Sequence, residues 1–395
     1  MESSLKNRVL LTLSKLIDQN RQRIISENQL DIAAVKTQDC SIIDRLSVNS
    51  SKIDGMIQSL NEVAKEADPV DKVLYSHLRK DGLQIVNRSV PFGTILIIYE
   101  SRPDVTIEAA ATAFKAGNRI LLKGGRESHR SNLYLTQLWH QSLEQHGVEK
   151  EFIQYLELSR EETQSLIRGE GAKIDLIIPR GGESLINFIK RESSVPIIVS
   201  GRGNNFLYVD RECDIEMAFN LIVNGKERIS VCNAIDKVVI DKNLPNLYRD
   251  IGELVQRLSK MGIEVISNRS LAKFSSSLTI DNSEEVLYRE FLAPKIYLSL
   301  VEGIEEAIEV INRYSGGHSA VIVTSNQKRA ESFMGRVDCA ALYHNASSRF
   351  TDGGQFGVGA EIAISTQKLH FRGPLGAKEL VTNKWFIYGN GQIRV

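Results

Sequence analysis

At 395 residues, with 42% apolar and 25% charged residues, the chain has the balance of an ordinary globular protein and is too long for one simple core, so two or three lobes are expected. Its 49 lysines and arginines equal its 49 aspartates and glutamates, which argues against a polyanionic partner such as nucleic acid. No apolar run approaches the roughly 20 residues that cross a bilayer, and charges recur through the N-terminal segment, so neither a membrane span nor a signal peptide is expected.

From residue 5 to about 64 the apolar residues recur at helical spacing, with Leu5, Val9, Leu10, Leu13, Leu16 and Ile17 on one face of a first helix. Asp81-Gly82 signals a turn, and the alternation after it gives way to a solid run over 95–99, the pattern of a buried parallel strand. "DVTIEAAATAFKAGN" predicts a helix ending at Gly117, and "RILLKGG" a second buried strand. A helix over 161–168, the strand "KIDLIIP", the turn and helix "RGGESLINFIKRE" and the strand "VPIIVS" continue the alternation. Such alternation predicts a doubly wound, mostly parallel sheet. A second lobe beginning near Asp210 repeats it: helix 213–223, strand 235–240, helix 244–262, strands around 278 and 295–300, the helix "GIEEAIEVINRY" and the strand "SAVIVTS". The tail segment "TDGGQFGVGAEIAISTQKLHFRGPLGAKEL" is too specific in composition for a linker. Its glycines predict backbone held close to a ligand or a neighbouring strand.

The four cysteines, Cys40, Cys213, Cys232 and Cys339, are far apart, form no CxxC pair and meet no histidine cluster at ligand spacing. That disfavours a structural zinc and a disulfide framework, and predicts a metal-free protein of a reducing, cytoplasmic compartment. Cys232 stands on a polar turn ahead of the apolar run 235–240, where a cysteine can face a cleft as a nucleophile. The competing reading is a small buried apolar residue. Gly181 and Gly182 lie between a strand and a helix, where backbone N–H groups can approach an anion, although such turns are also common as plain structure. Lys123 stands at the carboxyl end of a strand, the side on which open α/β sheets bind ligands; a solvated lysine is the alternative. Of the seven histidines, His129, His140 and His146 read as solvated helix residues, while His318, in a glycine turn, could face a cleft. The residues alone thus reach an α/β enzyme with an anion-binding turn and a candidate thiol, and no substrate.

"VPFGTILIIYESRPDVTIEAAATAFKAGNRILLKGG", "IDLIIPRGGESL", "SVCNA" and "NASSRFTDGGQFGVGAEIAISTQKLHFRGPLGAKEL" together resemble the γ-glutamyl phosphate reductase family, the glutamate-5-semialdehyde dehydrogenases of the aldehyde dehydrogenase superfamily. The resemblance spans nearly the whole chain. It implies an aldehyde dehydrogenase-like α/β fold of two doubly wound domains plus a small β oligomerisation arm. The domains implied are an NADP-binding domain over 1–210 (with an arm around 78–92), a catalytic thiol domain over 211–360, and a segment 361–395 that returns to the first domain and the arm. The activity implied is NADPH-dependent reduction of L-glutamyl 5-phosphate to L-glutamate 5-semialdehyde and phosphate, the second step of proline synthesis from glutamate.

The resemblance also assigns roles. Cys232 matches the catalytic cysteine, and its backbone N–H would be a first oxyanion donor, with a second from the "YESRPD" loop. Lys123, Gly124 and Gly125 match the adenosine ribose and 2′-phosphate site, Gly181 and Gly182 the pyrophosphate turn, and Glu290 the nicotinamide-ribose glutamate. Asn345, Ser347, Arg349 and Thr351 are candidates for the amino-acid end of the substrate, with Arg349 pairing the α-carboxylate. Strands from 78–92 and 380–395 would pair across a homo-oligomer interface, and a separate glutamate 5-kinase would supply the acyl phosphate. Hydrolytic relatives carry a water-activating glutamate where this chain has Ser200, which favours exchange of phosphate for thiolate over hydrolysis. The chain departs from the family pattern at Asn205-Phe206, where Cys-His is usual, in a loop before Cys232 that is one residue short, and at Gln355, where an acid is common. The readings left open are a hydrolytic semialdehyde dehydrogenase and a non-catalytic paralogue that binds nucleotide or glutamate 5-kinase.

Overall fold

The computed structural model describes residues 1–36, 40–229 and 231–394. Residues 37–39 of the expected helical stretch, Ser230 of the cysteine loop and Val395 of the tail lie outside the described residues. The chain forms two compact units: residues 1–199, 357–363 and 374–395 make one, and residues 200–356 and 364–373 the other.

The first unit opens with helices Ser3–Gln19, Arg21–Ala34, Cys40–Leu46 and Ser50–Lys65. Val9, Leu10, Leu13 and Ile17 are buried on the first of these, while Leu5 and Leu16 are half-buried at the margins of the stripe. Lys6 is also on the buried side. Its ammonium pairs with Asp68 at 2.7 Å and donates to the Lys115 carbonyl at 2.9 Å, which offsets the cost of burying it. Four parallel strands follow, in the spatial order Ile153–Tyr155, Arg119–Gly124, Thr94–Tyr99, Leu176–Arg180. Each is a short apolar run, as a sheet covered on both faces requires. The helix Val105–Lys115 stops at Gly117, whose φ of 77° suits glycine. The side chain of Asn118 then accepts the Gly93 N–H and donates to the Leu380 carbonyl, so one amide holds the tail against this unit.

The expected strand "VPIIVS" is reduced to two isolated bridges, one between Ile177 and Ile197 and one between Ser200 and Ser365. Pro196 lacks an N–H and can only accept, from Ile177, so no ladder extends through it. Strands Val73–Leu78, Gln84–Pro91 and Val381–Tyr388 form an antiparallel sheet of their own. The segments 84–91 and 381–388, expected to serve an interface between subunits, thus pair with each other within one chain, from Gln84 opposite Tyr388 to Pro91 opposite Val381.

The second unit is a seven-stranded sheet in the order Thr279–Ile280, Glu264–Ser267, Lys295–Val301, Ile235–Asp241, Asn205–Val209, Ser319–Val323, Ala341–His344, with every adjacent pair parallel. Apolar clusters cover it on two faces, one built on Leu207, Val238 and Leu298, the other on Phe206, Val239 and Ile322. The split follows from strand alternation, since neighbours such as Phe206 and Leu207 point to opposite faces. Strand Glu264–Ser267, helix Gln327–Arg336 and strand Ala341–His344 were not expected from the sequence. Among the described residues no helix is long and apolar enough to cross a membrane.

Candidate active site

In the first unit three adjacent strands end together, with Tyr99 opposite both Gly124 and Arg180. A cleft of about 610 Å³ lies at these carboxyl ends, lined by Glu100, Lys123, Gly124 and Gly125 and by Arg126, Arg160 and Arg191. Sequence reading found Lys123 and the glycines but not Arg160 or Arg191, whose helices give no local sign of the cleft. The Lys123 ammonium donates to the Gly124 carbonyl at 3.0 Å, and burial, with Arg126 nearby, lowers its pKa. A Cβ on Gly124 would stand 2.1 Å from Asn132 Nδ2, and one on Gly125 2.1 Å from Glu127 Oε1, so a side chain at either position would have to displace Asn132 or Glu127.

Gly181 and Gly182 precede the helix Glu183–Glu192, whose Ser184, Leu185, Asn187 and Phe188 wall the same cleft. A Cβ on Gly181 would meet Glu100 Oε2 at 2.6 Å and Leu185 Cδ2 at 2.8 Å. Gly182 has more room, and its contribution is its N–H, which donates to Glu100 Oε2 at 2.9 Å. A carboxylate thus sits where a helix N-terminus favours an anion. Glycine walls, a lysine and three arginines fit a ligand that carries several phosphates.

The second unit carries the thiol. Helix Ile215–Lys226 ends before a turn that runs through Cys232 into strand Ile235–Asp241, and the cysteine is half-buried on it. The turn is held from behind by Asn205, which is fully buried. Its Nδ2 donates to the carbonyls of Cys232 at 2.7 Å, Ala234 at 2.6 Å and Gly203 at 3.0 Å, and its Oδ1 accepts the Ser319 N–H at 3.0 Å. Gly203 presses on the same turn, since a Cβ there would lie 2.2 Å from the Cys232 carbonyl oxygen. Asn233 ties the turn to the segment after the last strand, donating to the carbonyls of Arg349 at 3.2 Å and Thr351 at 3.1 Å and accepting from the Arg349 guanidinium through Oδ1. Ser348 Oγ donates to the Asn233 carbonyl at 2.7 Å.

Beside this turn is a polar pocket of about 440 Å³ lined by Glu227, Arg228, Asn233, Arg349, Asp352 and Gln355, among others. Burial and the neighbouring Arg228 lower the Arg349 pKa, while the charges of Cys232, Asp352 and Glu227 raise it. Arg349 is therefore close enough to feel the thiol. Of the residues expected at the amino-acid end, only Arg349 lines the pocket. Ser347 Oγ donates to Asn224 at 2.7 Å and accepts the Arg349 N–H at 3.2 Å. The Thr351 hydroxyl lies between Ser319 Oγ and Tyr343 OH, and Asn345, at a φ of 55°, pairs with both backbone groups of Thr324. These three shape the loop rather than the pocket surface.

Glu290 belongs to the second unit. Burial, with Asp236 nearby, raises its carboxyl to about 7, against the Gly203 N–H, which stabilises the charge. Lys237 is pushed down to about 7 by burial; it donates to the Arg289 carbonyl at 2.7 Å and stands 3.8 Å over the Phe291 ring. His318 does not face a cleft. It is fully buried, with Nδ1 2.8 Å from Ser319 Oγ, and burial pushes its pKa down to about 4. Burial raises the Cys213 thiol to about 12 and the Cys339 thiol to about 11.

The sequence matches the aldehyde dehydrogenase family over residues 14–267 and 277–360. It is 41% identical to the γ-glutamyl phosphate reductase of Caldanaerobacter subterraneus, over all of this chain and 95% of that one. It is 39% identical to that of Clostridium botulinum strain Alaska E43, over 99% and 95%. The chain belongs to the γ-glutamyl phosphate reductase family. The crystal structure of the Thermotoga maritima γ-glutamyl phosphate reductase superposes with a TM-score of 0.91 at 36% identity, covering all of this chain and 95% of that one. Within this reductase fold, the unusual Asn205 stands against the cysteine turn, and Phe206 is fully buried in the sheet core. Gln355 lines the polar pocket.

Proposed function

We propose that this chain reduces L-glutamyl 5-phosphate to L-glutamate 5-semialdehyde and phosphate, with NADPH as reductant and Cys232 as nucleophile, as the second step of proline synthesis. The observation that carries this reading is a half-buried cysteine on a turn braced by Asn205 and Asn233, beside a pocket of mixed charge that includes Arg349. The Cys232 thiolate attacks the acyl carbon, the C–S bond forms, and the C–O bond to phosphate breaks. The backbone N–H of Cys232 is the candidate donor to the oxyanion of each tetrahedral intermediate. NADPH supplies the hydride that reduces the thioester. The hemithioacetal then collapses, the C–S bond breaks, and Cys232 is released as thiolate with the aldehyde as product. A thiol suits both halves, as nucleophile and as leaving group.

Lys123, Gly124 and Gly125 are assigned to the adenosine ribose and its 2′-phosphate, Gly181 and Gly182 to the pyrophosphate, and Glu290 to the hydroxyls of the nicotinamide ribose. The positive lining of the cleft by Arg126, Arg160 and Arg191 supports a cofactor with the additional phosphate. Lys123→Met is expected to raise the KM for NADPH by about tenfold or more while leaving reactivity of the thiol intact, as loss of a charge-assisted contact would. Steady-state kinetics at varied cofactor, beside Cys232 alkylation, would show it. Glu290, with its carboxyl near 7, accepts a ribose hydroxyl bond best when ionised, so cofactor use should improve as pH rises through about 7. Glu290→Gln should flatten that rise. A rise that persists in Glu290→Gln but vanishes in Lys237→Met would assign the titration to the lysine instead.

The acyl phosphate would be made by a separate glutamate 5-kinase. The exposed side chains of Leu74, Tyr75, Leu78, Trp385 and Ile387 on the small antiparallel sheet support a homo-oligomer, which sedimentation would size. The deciding experiment runs the reaction backwards. Glutamate 5-semialdehyde and NADP⁺ are supplied with and without inorganic phosphate, and reduced cofactor is followed. Phosphate-dependent turnover is expected. Turnover without phosphate would establish a hydrolytic dehydrogenase, and silence from folded, cofactor-binding protein would establish the non-catalytic paralogue.

A further inference from the structure

The polar pocket beside Cys232 holds two cations, Arg228 and Arg349, and two anions, Glu227 and Asp352. Arg228 and Arg349 line the same pocket, and Arg228 disfavours the Arg349 charge, so an anion placed between them would relieve that repulsion. The acids differ. Glu227 is exposed at the surface, and its Oε2 accepts from Asn224 Nδ2 at 3.1 Å. Asp352 is half-buried and fixed by a local turn: its Oδ1 accepts the Gln355 N–H at 3.1 Å, and its carbonyl accepts the Phe356 N–H at 2.9 Å. Gln355 itself brings no charge, although it lines the same pocket. Asp352 is therefore the preorganised anion of the site.

We propose that this pocket recognises a zwitterion, with Asp352 accepting the α-ammonium group of the substrate while Arg228 and Arg349 hold its α-carboxylate. This rests on the reading of Cys232 as the nucleophile that acts on a glutamyl group, and deepens it. A pocket with arginines alone would take any dicarboxylate half-ester. The added carboxylate selects α-amino acids, because a substrate without the ammonium group leaves Asp352 desolvated and unpaired beside it.

The test compares glutamate 5-semialdehyde with 5-oxopentanoate, which has the same chain and carboxylate but no amino group, in phosphate-dependent oxidation by NADP⁺. Wild type should prefer the amino aldehyde in kcat/KM by about 10- to 100-fold, the range for one charge-assisted hydrogen bond. Asp352→Asn should lose most of that factor on the amino aldehyde and leave 5-oxopentanoate unchanged or better used, since the unpaired charge beside it is gone, so that the preference collapses. An equal loss on both aldehydes, or no preference in wild type, would overturn the proposal. A second measurement needs no variant: L-glutamate should protect Cys232 of wild type from iodoacetamide at about tenfold lower concentration than glutarate. Equal protection by the two would also overturn it. If wild type oxidises neither aldehyde, or oxidises them without phosphate, the reductase reading itself fails and this assignment goes with it.

Discussion

Cys232→Ala is expected to lower phosphate-dependent oxidation of glutamate 5-semialdehyde by about 10⁴-fold or more, because it removes the thiolate that would carry the acyl intermediate. The cleft proposed for the cofactor belongs to the other unit, with Lys123 and the three arginines intact, so NADPH should still bind with wild-type affinity. Titration of cofactor binding beside kinetics separates loss of chemistry from loss of fold. Alkylation gives a second readout. Cys213 and Cys339 are held up to about 12 and about 11 by burial, so near neutral pH iodoacetamide should react far faster at Cys232 than at either. Phosphate-dependent activity within tenfold of wild type in Cys232→Ala would rule out the thioester route.

Asn205→Asp is expected to destabilise the protein by about 3 kcal/mol or more, and to slow alkylation of Cys232 by about tenfold. Two amide hydrogens serve the carbonyls of Cys232 and Ala234, and the Gly203 carbonyl is also served by the Asn205 backbone N–H at 2.9 Å. A carboxylate of the same shape would face those carbonyls with no donor, in a fully buried place. The Ser319 N–H would remain as a donor to it. Chemical denaturation measures the first effect and the alkylation rate of folded protein the second. A stable variant with normal thiol reactivity would show that Gly203 and Asn233 hold the turn without Asn205. Asn205→Ser, which keeps one donor, should fall between the two.

The elements legible in the sequence are those whose burial is one-sided or complete. The run at 95–99 is solidly apolar, those at 119–124 and 235–240 have apolar centres or ends despite Arg119, Lys123, Asp236 and Lys237, and each is a central strand. Most of those missed carry weak patterns, although the fully buried strand Asn205–Val209 was missed as well. Strand Glu264–Ser267 is only four residues long, and helix Gln327–Arg336 buries only Ala330 and Phe333. The opposite error occurred at "VPIIVS", where composition favours a strand but Pro196 interrupts the donors.

What the sequence determined by itself is the chemistry available: a cysteine on a polar turn, glycines at two strand ends, a lysine beside them, and motifs specific enough to place the chain in its family. These are local properties, set by residue type and by neighbours within a few positions. Only the tertiary structure decided which polar groups meet. Arg228 and Arg349 are more than a hundred residues apart yet line one pocket with Asp352, and Asn205 reaches a turn 27 residues away. Parallel strands make this possible, because each returns the chain to the same edge of the sheet after a helix, so distant segments deliver their loops to one place. The same packing turned the hydroxyls of Ser347 and Thr351 to partners in the protein, Ser347 to Asn224 and Thr351 to Ser319 and Tyr343, so neither residue lines the pocket.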